Sequence, residues 1–351
     1  MGYSFFFFLS SGLFLGWSLG ASDASNVFGT AVGTKMIRFR TAAITASVFV
    51  IIGAVYAGSG TSKTLGELGS INALAGAFMV AFASALTIFL MVKASLPVST
   101  SHAIVGGIIG WNIYSGKPTD VAVFSKIVST WILCPILAGI IAVILYLIIK
   151  LVLRKSKIHL IALDYYTRTG LILAGAFGAY ALGANNIANV MGVFVDSSPL
   201  HGFNWKNIIE LNSTQVLFLI GGISIALGII TYSQKVIKTV GNDLMAMSPI
   251  IALIVVIAQA LVLFIFSSTD LRDFLVSLSL PEIPLVPVSS TQAVIGAIMG
   301  IGIAKGGKGI KWSVVGRIAI GWVLTPTFAA LSCFILLFFL ENVFNQVVFL
   351  P

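Results

Sequence analysis

Long apolar segments recur along nearly the whole chain, and they constrain the fold more than any other feature of the sequence. A helix needs roughly 20 mainly apolar residues to cross a bilayer. By this criterion the sequence predicts spans near residues 3–20, 41–58, 70–94, 98–113, 122–153, 167–184, 208–231, 244–268, 288–304 and 313–340. Charged residues make up only 9% of the chain, whereas a soluble domain carries about a quarter. We therefore predict an all-α polytopic membrane protein with about 10–12 transmembrane segments.

Basic residues are concentrated in the loops that follow the odd-numbered spans, such as Lys35, Arg38 and Arg40 after the first span and Lys305 after the ninth. Cytoplasmic loops are enriched in Lys and Arg, so this distribution predicts an inner or plasma membrane protein with both termini outside. The net charge of +9 is scattered through short loops. We therefore expect lipid, and no nucleic acid, around the chain.

The first 20 residues have an alternative interpretation as a signal peptide. The stretch SLGASDA resembles a small-residue cleavage site. No basic segment precedes the apolar run, however, and the supposed cleavage site belongs to a repeated motif. A membrane span is therefore the favoured interpretation.

The sequence contains an internal duplication. GASDASNVFG at 20–29 matches GANNIANVMG at 183–192, and PVSTSHAIVGGIIG at 97–110 matches PVSSTQAVIGAIMG at 287–300. Trp131 and Pro135 are likewise matched by Trp322 and Pro326. Three blocks in the same order indicate two repeats. We assign residues 1–153 to the first repeat, 154–165 to a short cytoplasmic linker and 166–351 to the second repeat.

An odd number of spans in each repeat would make the second copy enter the membrane from the opposite side. Inverted-topology repeats with broken or re-entrant helices are the plan of many secondary transporters, and their substrates bind near the midplane. We expect the first helix to be interrupted around Gly20, Gly29 and Gly33, and Pro97 and Pro287 to separate helices.

The PVST and PVSS motifs predict helix N-termini. Such a terminus carries about half a positive charge and unpaired N–H groups, so it binds anions without Lys or Arg. Two facing termini would suit a tetrahedral oxyanion, whereas the simpler alternative is that the hydroxyls only cap buried helices. The candidate anion-binding residues are Ser99, Thr100, Ser101, Ser289, Ser290 and Thr291.

The GASDASN and GANNIAN signatures predict a site for a hard cation such as Na⁺. An intramembrane carboxylate is costly and usually functional. Carboxylate and amide oxygens are the ligands that hard cations prefer, and unwound backbone would add carbonyls. The alternative is that the asparagines only form hydrogen bonds between helices. The candidate cation ligands are Asp23, Asn26, Asn186 and Asn189.

Few other residues suggest chemistry. His102 aligns with Gln292, and both are possible secondary site residues. A lone histidine is more often a hydrogen-bonding partner than a proton relay. Cys134 and Cys333 lie in apolar runs. We find neither a Cys/His metal cluster nor a nucleophile–base arrangement, so we expect no cofactor other than a coupling ion and no enzyme activity.

At these motifs the chain resembles the inorganic phosphate transporter (PiT) family. The family's duplicated signature has the form GANDxANxxG, and its second paired element reads PVSTTH or PVSTTQ. The resemblance extends from Gly20 to Gly300. It implies a secondary transporter of the sodium/phosphate symporter type that carries phosphate inward.

This sequence departs from the family pattern at three positions. The first signature has Ser22 in place of Asn and Ser25 in place of Ala, and the second has Asn186 where Asp is usual. One of two expected intramembrane carboxylates is therefore missing, which bears on the number of coupling cations.

Taken together, these features predict import of inorganic phosphate by Na⁺ symport through alternating access at a midplane site between the repeats. The alternatives are a proton-coupled phosphate permease, a sulfate permease and an ion channel built on broken helices. A homodimer is also an expectation.

Overall fold

The computed structural model describes residues 2–93, 98–156, 158–205, 209–234, 247–307 and 312–350. Helices dominate these ranges. They are α1 Gly2–Gly33, α2 Phe39–Ala57, α3 Ser59–Leu68, α4 Leu74–Lys93, α5 Thr100–Ser115, α6 Val121–Lys155, α7 Leu160–Met191, α8 Ser213–Thr231, α9 Pro249–Ile265, α10 Thr269–Ser277, α11 Ser290–Ala304 and α12 Trp312–Asn342. A 3₁₀ turn at Gly192–Phe194 follows α7, and β1 (Phe203–Trp205) pairs antiparallel with β2 (Ile209–Leu211) before α8.

The described helices confirm an all-α polytopic membrane protein. Seven of them are long and apolar enough to cross a bilayer, and α9 with α10 forms an eighth candidate that is bent by 69°. The predicted spans 98–113 and 288–304 correspond to α5 and α11, which have only 16 and 15 residues. A spanning helix needs roughly 20 residues, so α5 and α11 are half-helices.

The expected interruption of the first helix is wrong. Helix α1 runs without a break through the first signature, and α7 runs through the second. One physical reason is that the polar side chains bond within the helices; the Ser22 hydroxyl, for example, donates to the carbonyl of Ser18 at 3.0 Å. The unwound carbonyls that we expected as cation ligands are therefore not present in α1 and α7.

We expected Pro97 and Pro287 to separate helices. Pro97 lies outside the described residues. Pro287 lies in a non-helical segment that leads into α11, as predicted.

Residues 156–159 separate α6 from α7, so this connection is shorter than the predicted linker at 154–165. The division into two repeats stays a prediction.

Helices of the two halves pack on each other in matched pairs. Helix α1 packs on α8 as α7 packs on α2, and half-helix α5 packs on α12 as α11 packs on α6. Within each half, α1 packs on α4 as α7 packs on α9. This exchange of partners is consistent with two repeats related by a pseudo-twofold axis.

Glycines allow the long helices of the two halves to touch through their backbones. A Cβ atom on Gly20 would lie 1.9 Å from the carbonyl oxygen of Ile225 in α8. The equivalent atom on Gly183 would lie 2.1 Å from the carbonyl oxygen of Val50 in α2. Small residues permit this close approach in membranes, where dispersion contacts replace the hydrophobic effect as the force between helices.

We expect Gly20→Ala to destabilise the protein, because the added methyl group must push α1 and α8 apart. Overpacking of this kind costs about 1–3 kcal/mol. A thermal unfolding midpoint in detergent several degrees below wild type would show it. Gly33→Ala in the same helix is the matched control, since nothing lies within 4 Å of its added methyl group. Equal midpoints for the two variants would contradict the contact.

Candidate functional site

The two half-helices begin with the same capping geometry. The Ser99 hydroxyl accepts a hydrogen bond from the His102 amide at 3.4 Å, and the Ser289 hydroxyl accepts one from the Gln292 amide at 3.2 Å. The predicted helix N-termini are thus present, and Thr100 is the first residue of α5 rather than its cap. Both termini are buried, which places their positive ends inside the protein.

The first signature, in α1, contacts the half-helix α11. Asn26 is buried in α1, and its Nδ2 atom donates to the hydroxyls of Ser290 and Thr291, each at 3.0 Å. Ser290 also adjoins the Asp23 carboxylate. The predicted cation ligands of α1 therefore lie next to the predicted anion ligands Ser290 and Thr291.

The second signature, in α7, makes the reciprocal contact with the half-helix α5. The Nδ2 atom of Asn189 donates to the hydroxyl of Ser101 and to Oδ1 of Asn186, both at 2.9 Å. Asn189 and Ser101 are the counterparts of Asn26 and Thr291 in the duplication. The same amide–hydroxyl bond is therefore made twice, once on each side of the site.

A further bond joins the starts of the two half-helices. The Ser101 hydroxyl donates to the carbonyl oxygen of Val288 at 3.1 Å. Val288 lies two residues before Ser290, the first residue of α11. The two positive helix ends therefore lie side by side, as an anion site of paired termini requires.

Asp23 is a buried carboxyl group that no basic side chain balances among the described residues. Its side chain is 4% exposed, and the hydroxyl of Ser22 lies 3.2 Å from its Oδ1 atom and shares its proton between this oxygen and the Ser18 carbonyl. The ion pairs formed by the described residues, Arg168–Asp164 and Arg272–Asp273, are both at exposed positions away from it. A buried carboxylate without a counter-charge is strongly disfavoured, so the site suits a bound cation.

Asn189 supplies a second oxygen that suits a cation. Its Oδ1 atom is fully buried and has no hydrogen-bond partner among the described residues. Amide and carboxylate oxygens fit a hard cation. Within the same residues there is no group of three or more His, Cys, Asp or Glu side chains, so the general expectation of metal binding receives no support from a ligand cluster of that kind.

Asn185 is a site residue that the sequence analysis missed. Its Nδ2 atom donates to the Val286 carbonyl at 3.1 Å, and its Oδ1 atom accepts from the Val288 amide at 2.8 Å. The side chain thus fixes the segment before α11. Its counterpart in the first copy is Ser22, so the comparison of the two signatures did not indicate it. A second amide beside Asn186 in an apolar segment was the available signal.

His102 and Gln292 lie one position deeper in the half-helices. Pro326 has no N–H group, so it leaves the Trp322 carbonyl without its helical partner. Nδ1 of His102 lies 3.0 Å from that oxygen, and because a carbonyl only accepts, Nδ1 carries the proton. The His102 ring also lies against the Trp131 ring, with the ring centroids 3.8 Å apart and the planes tilted by 31°.

Comparison with known proteins identifies the family. The sequence model of the phosphate transporter family matches residues 19–333, which is most of the chain and includes both signatures and both half-helices. The chain belongs to the phosphate transporter family. The prediction of a transporter and not an enzyme is thereby confirmed.

Relatives in this family match over almost their whole length. The "Putative phosphate permease" of Methanocaldococcus jannaschii is 30% identical over 319 residues, covering 91% of this chain and 92% of the relative. The "Probable low-affinity inorganic phosphate transporter" of Bacillus subtilis is 30% identical over 332 residues, covering 90% and 92%. A solved structure, described as "The sodium-dependent phosphate transporter", is 22% identical, with a TM-score of 0.78 over 96% of this chain and 98% of the other. That likeness shows the fold.

We expect Ser101→Ala to raise the KM for phosphate about tenfold, because it removes the acceptor of Asn189 and the bond to Val288. Two hydrogen bonds are together worth about 1–3 kcal/mol. Initial rates of phosphate uptake measure the effect. Ser129→Ala is the control, since that exposed hydroxyl bonds only to the Lys126 carbonyl of its own helix. An unchanged KM for Ser101→Ala would remove this residue from the site.

Proposed function

We propose that the protein imports inorganic phosphate by symport with Na⁺, through alternating access at a site between the two repeats. One observation carries the proposal, namely the crossed bonds of Asn26 with Ser290 and Thr291 and of Asn189 with Ser101. They make cation and anion groups contiguous, as coupled transport needs. The structural neighbour is a sodium-dependent phosphate transporter, which supports the choice of Na⁺.

Phosphate would bind at the N-termini of α5 and α11. The free amides of the first turns and the positive helix ends attract an anion. The hydroxyl of Ser101 now donates to the Val288 carbonyl. In the loaded site this hydroxyl would turn to a phosphate oxygen, which is the stronger acceptor because it is charged. The proposed phosphate ligands are Ser99, Thr100, Ser101, Ser289, Ser290 and Thr291.

Na⁺ would bind at the signatures. Asp23 supplies the charge, and the amide oxygens of Asn26, Asn186 and Asn189 supply neutral ligands. A phosphate anion entering a low-dielectric interior is strongly disfavoured unless cations accompany it. Occupation of the signatures therefore favours occupation of the adjoining helix ends, and this is the physical basis of coupling.

The membrane and the orientation follow from the loop charges. We place the protein in the inner or plasma membrane with both termini outside, because Lys and Arg are concentrated in the loops after odd-numbered spans. In that orientation the inward Na⁺ gradient drives phosphate into the cell.

Uptake of radiolabelled phosphate into proteoliposomes tests the proposal. One arm applies an inward Na⁺ gradient, and a second applies a proton gradient without Na⁺. We expect accumulation with Na⁺, competed by arsenate and not by sulfate. Accumulation with protons alone would replace Na⁺ by H⁺ as the coupling ion. Flux that persists without any cation gradient and does not saturate would indicate a channel.

Asp23→Asn should abolish Na⁺-driven accumulation, because the site then contains only neutral ligands at both copies. The same proteoliposome assay measures it, with a thermal unfolding midpoint near wild type as proof of folding. Asp196→Asn, outside both signatures, is the control and should transport normally. Normal coupled uptake by Asp23→Asn would show that the cation assignment is wrong.

Asn186→Asp should strengthen Na⁺ binding, because it restores the second carboxylate of the family signature. We expect the Na⁺ concentration for half-maximal uptake to fall about threefold, a change of about 0.7 kcal/mol. Uptake as a function of Na⁺ concentration at fixed phosphate gives both this value and the steepness of the dependence. A rise in the half-maximal concentration would contradict the assignment of Asn186 as a cation ligand.

A further inference from the structure

Helix α3 differs from the other helices around the site in length and polarity. It has 10 residues, SGTSKTLGEL, and it follows α2 after Gly58 alone. Its inner face buries Thr61, Ser62, Leu65 and Leu68, whereas Lys63 and Glu67 are exposed. A short helix with charged residues on one side and buried hydroxyls on the other lies at the surface of the bundle.

Thr61 bonds directly to the second signature. Its hydroxyl is fully buried and shares its proton between the carbonyl oxygens of Ala184 and Gly58, each at 3.2 Å. Ala184 precedes Asn185 and Asn186 in α7. Packing around this bond is close, since a Cβ atom on Gly58 would meet the Ile187 side chain at 2.2 Å. Helix α3 therefore rests on the signature itself.

Thr64, one turn further along α3, bonds to the segment that leads into α11. Its hydroxyl donates to the Leu285 carbonyl at 2.5 Å. The next residue of that segment, Val286, is bonded to Asn185 through its carbonyl and to the Phe266 carbonyl through its amide. Two neighbouring residues of the segment are thus fixed by α3 and α7 together.

These bonds form a closed junction of three elements. Thr61 joins α3 to the signature, Thr64 joins α3 to the segment before α11, and Asn185 joins the signature to that same segment. The orientation of the α11 N-terminus, with Ser290 and Thr291, depends on this junction. Neither threonine of α3 is among the proposed ligands.

We propose that Thr61 and Thr64 are positioning residues of the phosphate site, which hold the α11 N-terminus against the second signature in the arrangement that binds the anion. This inference rests on the proposed function. Its consequence is specific: loss of the two hydroxyls lowers the affinity for phosphate, because the α11 amides lose their fixed orientation, while the number of functional sites is unchanged.

Equilibrium binding of radiolabelled phosphate to the purified full-length protein, at saturating Na⁺, tests the inference. Thr61→Val with Thr64→Val keeps the shape of the side chains and removes both hydroxyls. We expect the Kd to rise about fivefold or more, as for the loss of two hydrogen bonds, at unchanged binding capacity. Thr61→Ser with Thr64→Ser retains the hydroxyls and should bind as wild type does.

The controls separate the possible failures. Thr327→Val removes an exposed hydroxyl that bonds only within α12 and should leave the Kd within about twofold of wild type. If the double variant does not fold, Thr64→Val alone replaces it, and we expect a smaller rise in the Kd. A folded double valine variant with wild-type Kd, or one that loses capacity at unchanged Kd, would overturn the positioning role. A wild-type protein that binds no phosphate would refute the proposed function instead.

Discussion

The buried carboxyl group of Asp23, with no basic side chain beside it among the described residues, is the constraint on which the rest of the site depends. In the hydrocarbon region no water is available to solvate a carboxylate, so the protein must supply hydrogen-bond donors, a cation or both. The described residues supply hydroxyl donors from Ser22 and Ser290 and no basic side chain. Ser290 belongs to the half-helix whose N-terminus suits an anion. The Asp23 carboxyl group, which lacks a positive counter-charge, therefore lies next to the proposed anion site.

The crossed amide–hydroxyl bonds bring the proposed cation site and the proposed anion site into contact. Asn26 and Asn189 each use their amide hydrogens on the half-helix of the opposite repeat. The oxygen atoms of the same amides are left for other partners, and that of Asn189 has none among the described residues. In the proposed sites, one side chain would therefore face the anion-binding hydroxyls with its donor and a cation with its acceptor. A neutral amide performs both tasks where a lysine or a carboxylate performs one.

Much of this architecture was predictable from the sequence because the duplication repeats it. The long apolar runs indicated the spans, and the PVST and PVSS motifs predicted the helix starts that Ser99 and Ser289 cap. The continuity of α1 and α7 was not predictable, since glycines that allow unwinding also allow the backbone contacts seen at Gly20 and Gly183. The crossed pairing and the role of Asn185 depend on contacts between residues 88 or more positions apart, which a motif does not encode.

The exchange of packing partners has a consequence for how the molecule can move. The closest backbone contacts join α1 to α8 and α2 to α7, and each half-helix rests on a long helix of the other half. A rocking motion therefore cannot run along the boundary between the two halves of the sequence, because it would have to pull these surfaces apart. Any rigid bodies of the proposed alternating-access cycle would therefore each combine helices from both halves of the sequence.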